Sequence, residues 1–191
     1  MAQAIVNTCG WDTDCNAANV GSVMGVALGH GAMTHPYDFQ APFADRMILP
    51  TSEGTRSMSD AALEAQHLAR LGRSLMGWEP EPPPKAGAWH HFALPGSRHG
   101  WQAEAHDTKR PGLCSVSNPG GRLSIQSPPL MEGRSERVST PLLELNEGSN
   151  YGVMGSPKLY PGQKVSAHGK AVAVAGSPAL ALFIRHYNRT T

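Results

Sequence analysis

Cysteine is scarce in this sequence and poorly placed for cross-linking: Cys9, Cys15 and Cys114 are odd in number and widely spaced. That excludes a disulfide framework and fits a reducing compartment, and without a C-x-x-C there is no cysteine zinc site. An excess of one charge is also missing, since 16 basic and 15 acidic residues leave a formal net charge of +1. Nucleic-acid and membrane-surface partners usually leave a basic excess or a basic run, so neither is expected. Long apolar runs are lacking too, and none approaches the roughly 20 residues that span a bilayer. The opening "MAQAIVNTCGWD" has neither the basic region nor the long apolar region of a signal peptide. The expectation is a cytoplasmic chain without membrane association. No internal repeat is visible.

What is present is 191 residues, 40% of them hydrophobic, enough for one sizeable core or two small ones. Composition changes near residue 78, where "WEPEPPPKAG" places four prolines among residues 78–87. Proline fixes φ and removes a backbone donor, so this stretch reads as an interdomain linker. The expected fold class is α+β: an all-helical bundle fragment over 1–77, followed by an antiparallel β-sandwich over 88–191.

Three helices are expected before the linker. One covers residues 2–8. The second, over 13–29, carries Ala17, Val20, Met24, Ala27 and Leu28 on one face. Gly21, Gly25 and Gly29 recur on it, each costing about 1 kcal/mol against alanine, which predicts close approach of another helix. The third covers 58–75, with Ser57 and Asp60 spaced as a capping box and Ala61, Ala65, Leu68, Leu71 and Leu75 as its buried stripe. Beyond the linker, "WHHFAL", "RLSIQS", "TPLLEL", "KVSAHGKAVAV" and "ALALFIRHY" read as strands, and "NPGG" at 118–121 as a turn. Residues 96–111 are polar and irregular.

Asp12 and Asp14 stand where the second helix begins. A helix start explains them if one is the N-cap, accepting a backbone N–H from two or three residues on. They also suit a metal, because hard cations such as Mg²⁺ need oxygen ligands held close together. A helix N-terminus favours phosphate groups, so metal and helix together would suit a nucleotide diphosphate.

The stretch "CGWDTDCNAANVGSVMGVALG" resembles the last metal-binding motif of the ADP-ribosylglycohydrolase family, which reads roughly G-G-D-T-D-T followed by small residues. Gly10, Asp12, Thr13, Asp14, Ala17, Gly21 and Gly29 carry the match. "FADRMILP" and "SPKLYPGQKV" resemble, more loosely, segments of bacterial members with an appended C-terminal domain. The resemblance implies hydrolysis of the glycosidic bond linking ADP-ribose to a protein side chain or small molecule, with two Mg²⁺ ions in a helical domain. It implies metal ligation by Asp12, Asp14 and the position of Cys15, and substrate contact by Gly10, Trp11 and Thr13. Two metals can place a ribose and a water and stabilise developing charge.

Two departures qualify it. The family's threonine is Cys15 here, and a thiol is a poor Mg²⁺ ligand. The family's other acidic motif lies well upstream and has no counterpart before Asp12. The expectation is a C-terminal portion that is inactive alone, with the missing N-terminal part of the same domain as a partner. A second class of function is a non-catalytic β-sandwich that binds carbohydrate or protein, for which Trp78, Trp89 and Trp101 would serve as stacking platforms or simply seal an interface. Among the remaining candidates, His90 and His91 read as surface or interdomain residues and His67 as a packed or half-exposed one. His30 and His35 read as caps of the second helix, and Cys9 as a small buried residue.

Overall fold

The computed structural model describes residues 1–30, 38–50, 54–105, 112–143, 155–172 and 179–185. Their secondary structure is a mixture of α-helix and short antiparallel strand pairs, an α+β arrangement. The chain divides into two compact units, Met1–Leu159 and Tyr160–Thr191. The expected boundary at 78–87 falls inside the first. Among the described residues no helix is long and apolar enough to cross a membrane.

Helices α1 (Ala2–Asn7) and α2 (Asp14–Leu28) form a hairpin. The Gln3 side chain donates to the Ala17 carbonyl at 3.0 Å. Ala17, Val20 and Met24 are the covered members of the expected face, whereas Ala27 and Leu28 are exposed. The glycine argument holds at one position. A Cβ on Gly21 would stand 3.4 Å from the Gln3 side chain, but one on Gly25 would meet nothing. Gly29 serves another purpose. Its φ of 73° ends the helix, and its N–H bonds to the Gly25 carbonyl.

Strands β1 (Arg46–Ile48) and β2 (Met58–Asp60) pair antiparallel, with Arg46 opposite Asp60. β2 runs directly into α3 (Ala61–Leu75). The third helix therefore starts three residues later than its expected start at 58, because Asp60 itself is the cap. Its backbone is extended and its Oδ1 accepts the Leu63 N–H at 2.9 Å. Ser57 does not cap; its hydroxyl donates to the Ser156 carbonyl.

The expected stripe of α3 is also corrected. Leu68, Leu71 and Leu75 are 66%, 48% and 88% exposed, while Ala62 is buried. Asp60 fixes this first turn through its cap bond, and the Ala61 N–H bond to the Asp45 carbonyl holds it beside the buried Ala62. Glu64 is drawn to the same side by Arg56 and the Ser59 hydroxyl.

Past the prolines, β3 (Gln102–Ala103) pairs with β6 (Val138–Ser139), and β4 (Ser115–Ser117) with β5 (Ser124–Gln126). Among the described residues the strands make three separate two-stranded sheets. "RLSIQS" contains β5. "WHHFAL" is a loop rather than a strand, with Phe92 at a φ of 53°. Residues 140–143, 164–172 and 179–185 carry no ladder, and the remainders of those three expected strands lie outside the described residues.

The buried apolar side chains are small and few: Ala17, Ala44, Met58, Ala62 and Val116 among the described residues. Polar ones bury beside them, namely Asp45, Ser57, Ser59, Asp60, His91, Ser97, His99, Asn118 and Lys158. Hydrogen bonds, more than apolar packing, give this centre its shape.

Candidate functional site

Two places hold chemistry-bearing side chains. The first is the start of α2. Thr13 is the N-cap and makes no side-chain cap bond, so neither aspartate caps the helix in the expected manner. Asp14 Oδ1 accepts the Cys15 N–H at 2.8 Å. A hydrogen bond with Asp12, followed by the Cys15 N–H, holds the Asp14 carboxyl below the usual carboxylate range. Cys15 and Trp11 are exposed, and Trp11 adopts a φ of 73°. Gly10 is exposed beside them and Thr13 is half-buried.

The donor set falls short of a magnesium site. Mg²⁺ demands near-octahedral oxygen coordination, and this turn offers two carboxylates and a soft thiol. Among the described residues no group of three or more His, Cys, Asp or Glu side chains is arranged to hold a metal. No catalytic step is therefore assigned to an ion here.

The second place is the buried histidine network, which sequence reasoning missed. His91 is not a surface residue, and His90 is half-buried. His91 is 1% exposed, and both rings pack on His99, with centroids at 5.7 and 4.5 Å. Their strand-like spacing is misleading because the loop turns at Phe92. Phe92 N–H donates to His99 Nε2 at 3.2 Å, so Nδ1 carries the proton given to Asp60 Oδ2 at 3.0 Å. Asp60 thus caps α3 with one oxygen and holds His99 with the other. Asp45 Oδ2 takes the backbone N–H groups of Arg98 and His99. Asn118 ties the same loop, donating to the carbonyls of Phe92, Leu94 and Ser97 and accepting from Gly121 and Arg122. The expected turn at 118–121 is therefore also a knot. Gly100 is required here, because its φ is 81° and a Cβ would stand 2.6 Å from Thr140 Oγ1.

Electrostatics follow the burial. Burial pushes the Asp60 carboxyl up, but its hydrogen bond with His99, helped by Leu63 N–H and Lys158, holds it below the ordinary value. Burial, then the Lys158 charge, pushes His90 down to about 4. His91 is lowered by burial and His99, and Lys158 by burial against the pull of Asp60. The arrangement resembles a catalytic dyad but cannot act as one. His99 Nε2, the atom that would activate a nucleophile, is consumed by a backbone N–H. The dyad fastens the 91–101 loop to the start of α3.

The other candidates are quickly placed. Cys9 is exposed, not buried, just past the end of α1. His30 is exposed with Nε2 near the Gln40 amide, and His35 lies outside the described residues. Trp101 donates to His90 Nδ1 at 2.9 Å, while Trp78 and Trp89 are 58% and 40% exposed. His67 is half-buried on α3 and lines a groove of about 350 Å³ between that helix and the proline segment.

No protein-family model, curated protein or solved structure matches this chain.

Proposed function

We propose that this chain carries one half of a divalent-metal site belonging to a hydrolase that cleaves the glycosidic bond to ADP-ribose, as the ADP-ribosylglycohydrolase-like motif implies. The reading rests on one observation: Asp12 and Asp14 flank Thr13 at the start of α2, and neither caps the helix. The incomplete donor set is consistent with a half-site that other residues complete. The hairpin of α1 and α2 supports the same view. Ile5, Val23, Val26 and Leu28 are exposed, as they would be on a piece of a helical bundle lacking its neighbours. In this reading the short strand pairs belong to a sandwich, and the substrate is an ADP-ribosylated protein or small molecule.

The test is ADP-ribose release with Mg²⁺ and an added polypeptide bearing an upstream acidic motif. Release should need both chains and should vanish in the Asp12→Ala, Asp14→Ala double variant. Release by this chain alone, or release indifferent to that double variant, sinks the proposal. A second reading, a non-catalytic module for carbohydrate or protein, is favoured by the exposed rings of Trp78 and Trp89. Glycan binding lost in a Trp78→Ala, Trp89→Ala variant but kept without Asp12 and Asp14 would select it.

A further inference from the structure

The apolar stripe of α3 is turned to solvent along its whole length. Ala61, Ala65, Leu68, Leu71 and Leu75 follow helical spacing through all 15 residues of the helix, and each of the five is exposed. The stripe shares no residue with the aspartate pair or the histidine network. Glu64, the acid beside it, is already taken by Arg56 and the Ser59 hydroxyl. Covering the stripe therefore strands no carboxylate without a partner.

Two features point to the occupant. The first is the order of sizes, with alanines toward the N-terminal end and leucines toward the other. When two copies of α3 lie antiparallel about a twofold axis at Leu68, Ala61 stands opposite Leu75 and Ala65 opposite Leu71. Each large side chain then meets a small one, which lets facing helices interdigitate. A parallel pair would set leucine against leucine at one end and alanine against alanine at the other. The second feature is Gly72, one turn from Leu68 and Leu75 on the same side of the helix. Glycine weakens a helix interior, yet a Cβ there would meet nothing within 4 Å. In the antiparallel pair Gly72 stands opposite Glu64, where a missing Cβ leaves room for the longer side chain.

The area suffices. Leu68, Leu71, Leu75 and Met76 with the small residues between them expose on the order of 600 Å² per copy, at about 200 Å² for a whole large side chain. Two copies would bury about 1,200 Å², the lower bound of a specific interface.

We propose that α3 is a self-association surface through which two copies of this chain pair antiparallel, with Leu68 at the twofold axis. The same patch serves both copies. An interface of this size forms reversibly, so the chain is monomeric at about 1 µM and dimeric at about 500 µM.

The test is sedimentation equilibrium of the intact chain across that range. Leu68→Glu, at an exposed position, should keep the helix content and the unfolding midpoint of the dilute chain and weaken pairing by about tenfold. Gly72→Leu separates a shaped surface from a sticky one. It adds an apolar side chain, yet it should also weaken pairing by about tenfold because the new side chain meets Glu64. Register is read by oxidation in a chain whose Cys9, Cys15 and Cys114 are replaced by serine. A mixture of Ala65→Cys and Leu71→Cys chains should give the crossed disulfide in preference to either self-linked one. A monomer at the top of the concentration range overturns the proposal. So does pairing that either variant fails to weaken, or a preference for the self-linked disulfides. Association only with the polypeptide that bears the upstream acidic motif assigns the stripe to that partner and overturns it too.

Discussion

At the residue scale, Asp60 carries more of this structure than any other side chain. It is fully buried, caps α3 with one oxygen and receives His99 with the other. Taking away one partner of a buried pair leaves the other desolvated and unmatched. Asp60→Ala should therefore cost about 3 kcal/mol or more by urea unfolding, combining the lost cap with the stranded imidazole. His99→Gln should cost less than His99→Ala, because the amide can still donate to Asp60. In a double-mutant cycle of Asp60→Asn with His99→Gln, the coupling should reach about 1 kcal/mol. Additive losses would show that the two residues act separately. The spacing from Ser57 to Asp60 announced a helix start, and that much was legible. The capping residue was misassigned, because nothing local distinguishes a serine that caps from one that bonds to residue 156.

At the element scale, α3 shows how a strong apolar period can face away from the core. Its leucines follow helical spacing faithfully, yet Leu75 is 88% exposed and Ala62 only 4%. Rotation of a helix about its axis is decided by what holds its first turn, and here a buried carboxylate holds it. Leu75→Ser should change stability by less than about 0.5 kcal/mol, the range for a surface site away from caps and cores. Ala62→Leu should cost about 1–3 kcal/mol, since the added atoms enter a buried position. The reverse ranking in thermal unfolding would mean that the leucine stripe is the covered one. Helices α1 and α2 were readable to within a residue or two at their ends because their periodicity is local. The strands were not, since "WHHFAL" alternates acceptably but spends its backbone groups on Asn118 and His99.

At the scale of the whole molecule, a centre built from ionisable groups makes stability depend on pH. His90 titrates near 6.5 when unfolded and about 4 when folded. Between those values the unfolded chain binds the extra proton, so stability is lost as pH falls through that window. His91 shifts in the same direction, and so does Asp60, which adds its loss below about 3.8. Burial sets most of the effect, Lys158, His99 and His91 beside the ring add to it, and Asp60 opposes it. The expected loss from His90 alone is about 3 kcal/mol at most between pH 6.5 and 4. Unfolding midpoints followed from pH 8 to 4 should fall steadily below 6.5, and the slope should flatten in His90→Phe. A midpoint that is flat to pH 4.5 would contradict the buried, neutral state of His90.

Read alone, the chain determined what depends on neighbours a few residues apart: helix periods, the proline break, the turn at Asn118, the absence of a membrane-spanning helix, and a D-T-D that precedes a helix. Only the tertiary structure could decide which histidines meet. His90, His91 and His99 are brought together by a loop reversal at Phe92 and fastened by Asp45 and Asp60, residues 30 to 54 positions earlier. Burying a polar group without a partner is costly, so such groups are placed by wherever their partners fold. That is a property of distance in space, which spacing along the chain does not encode.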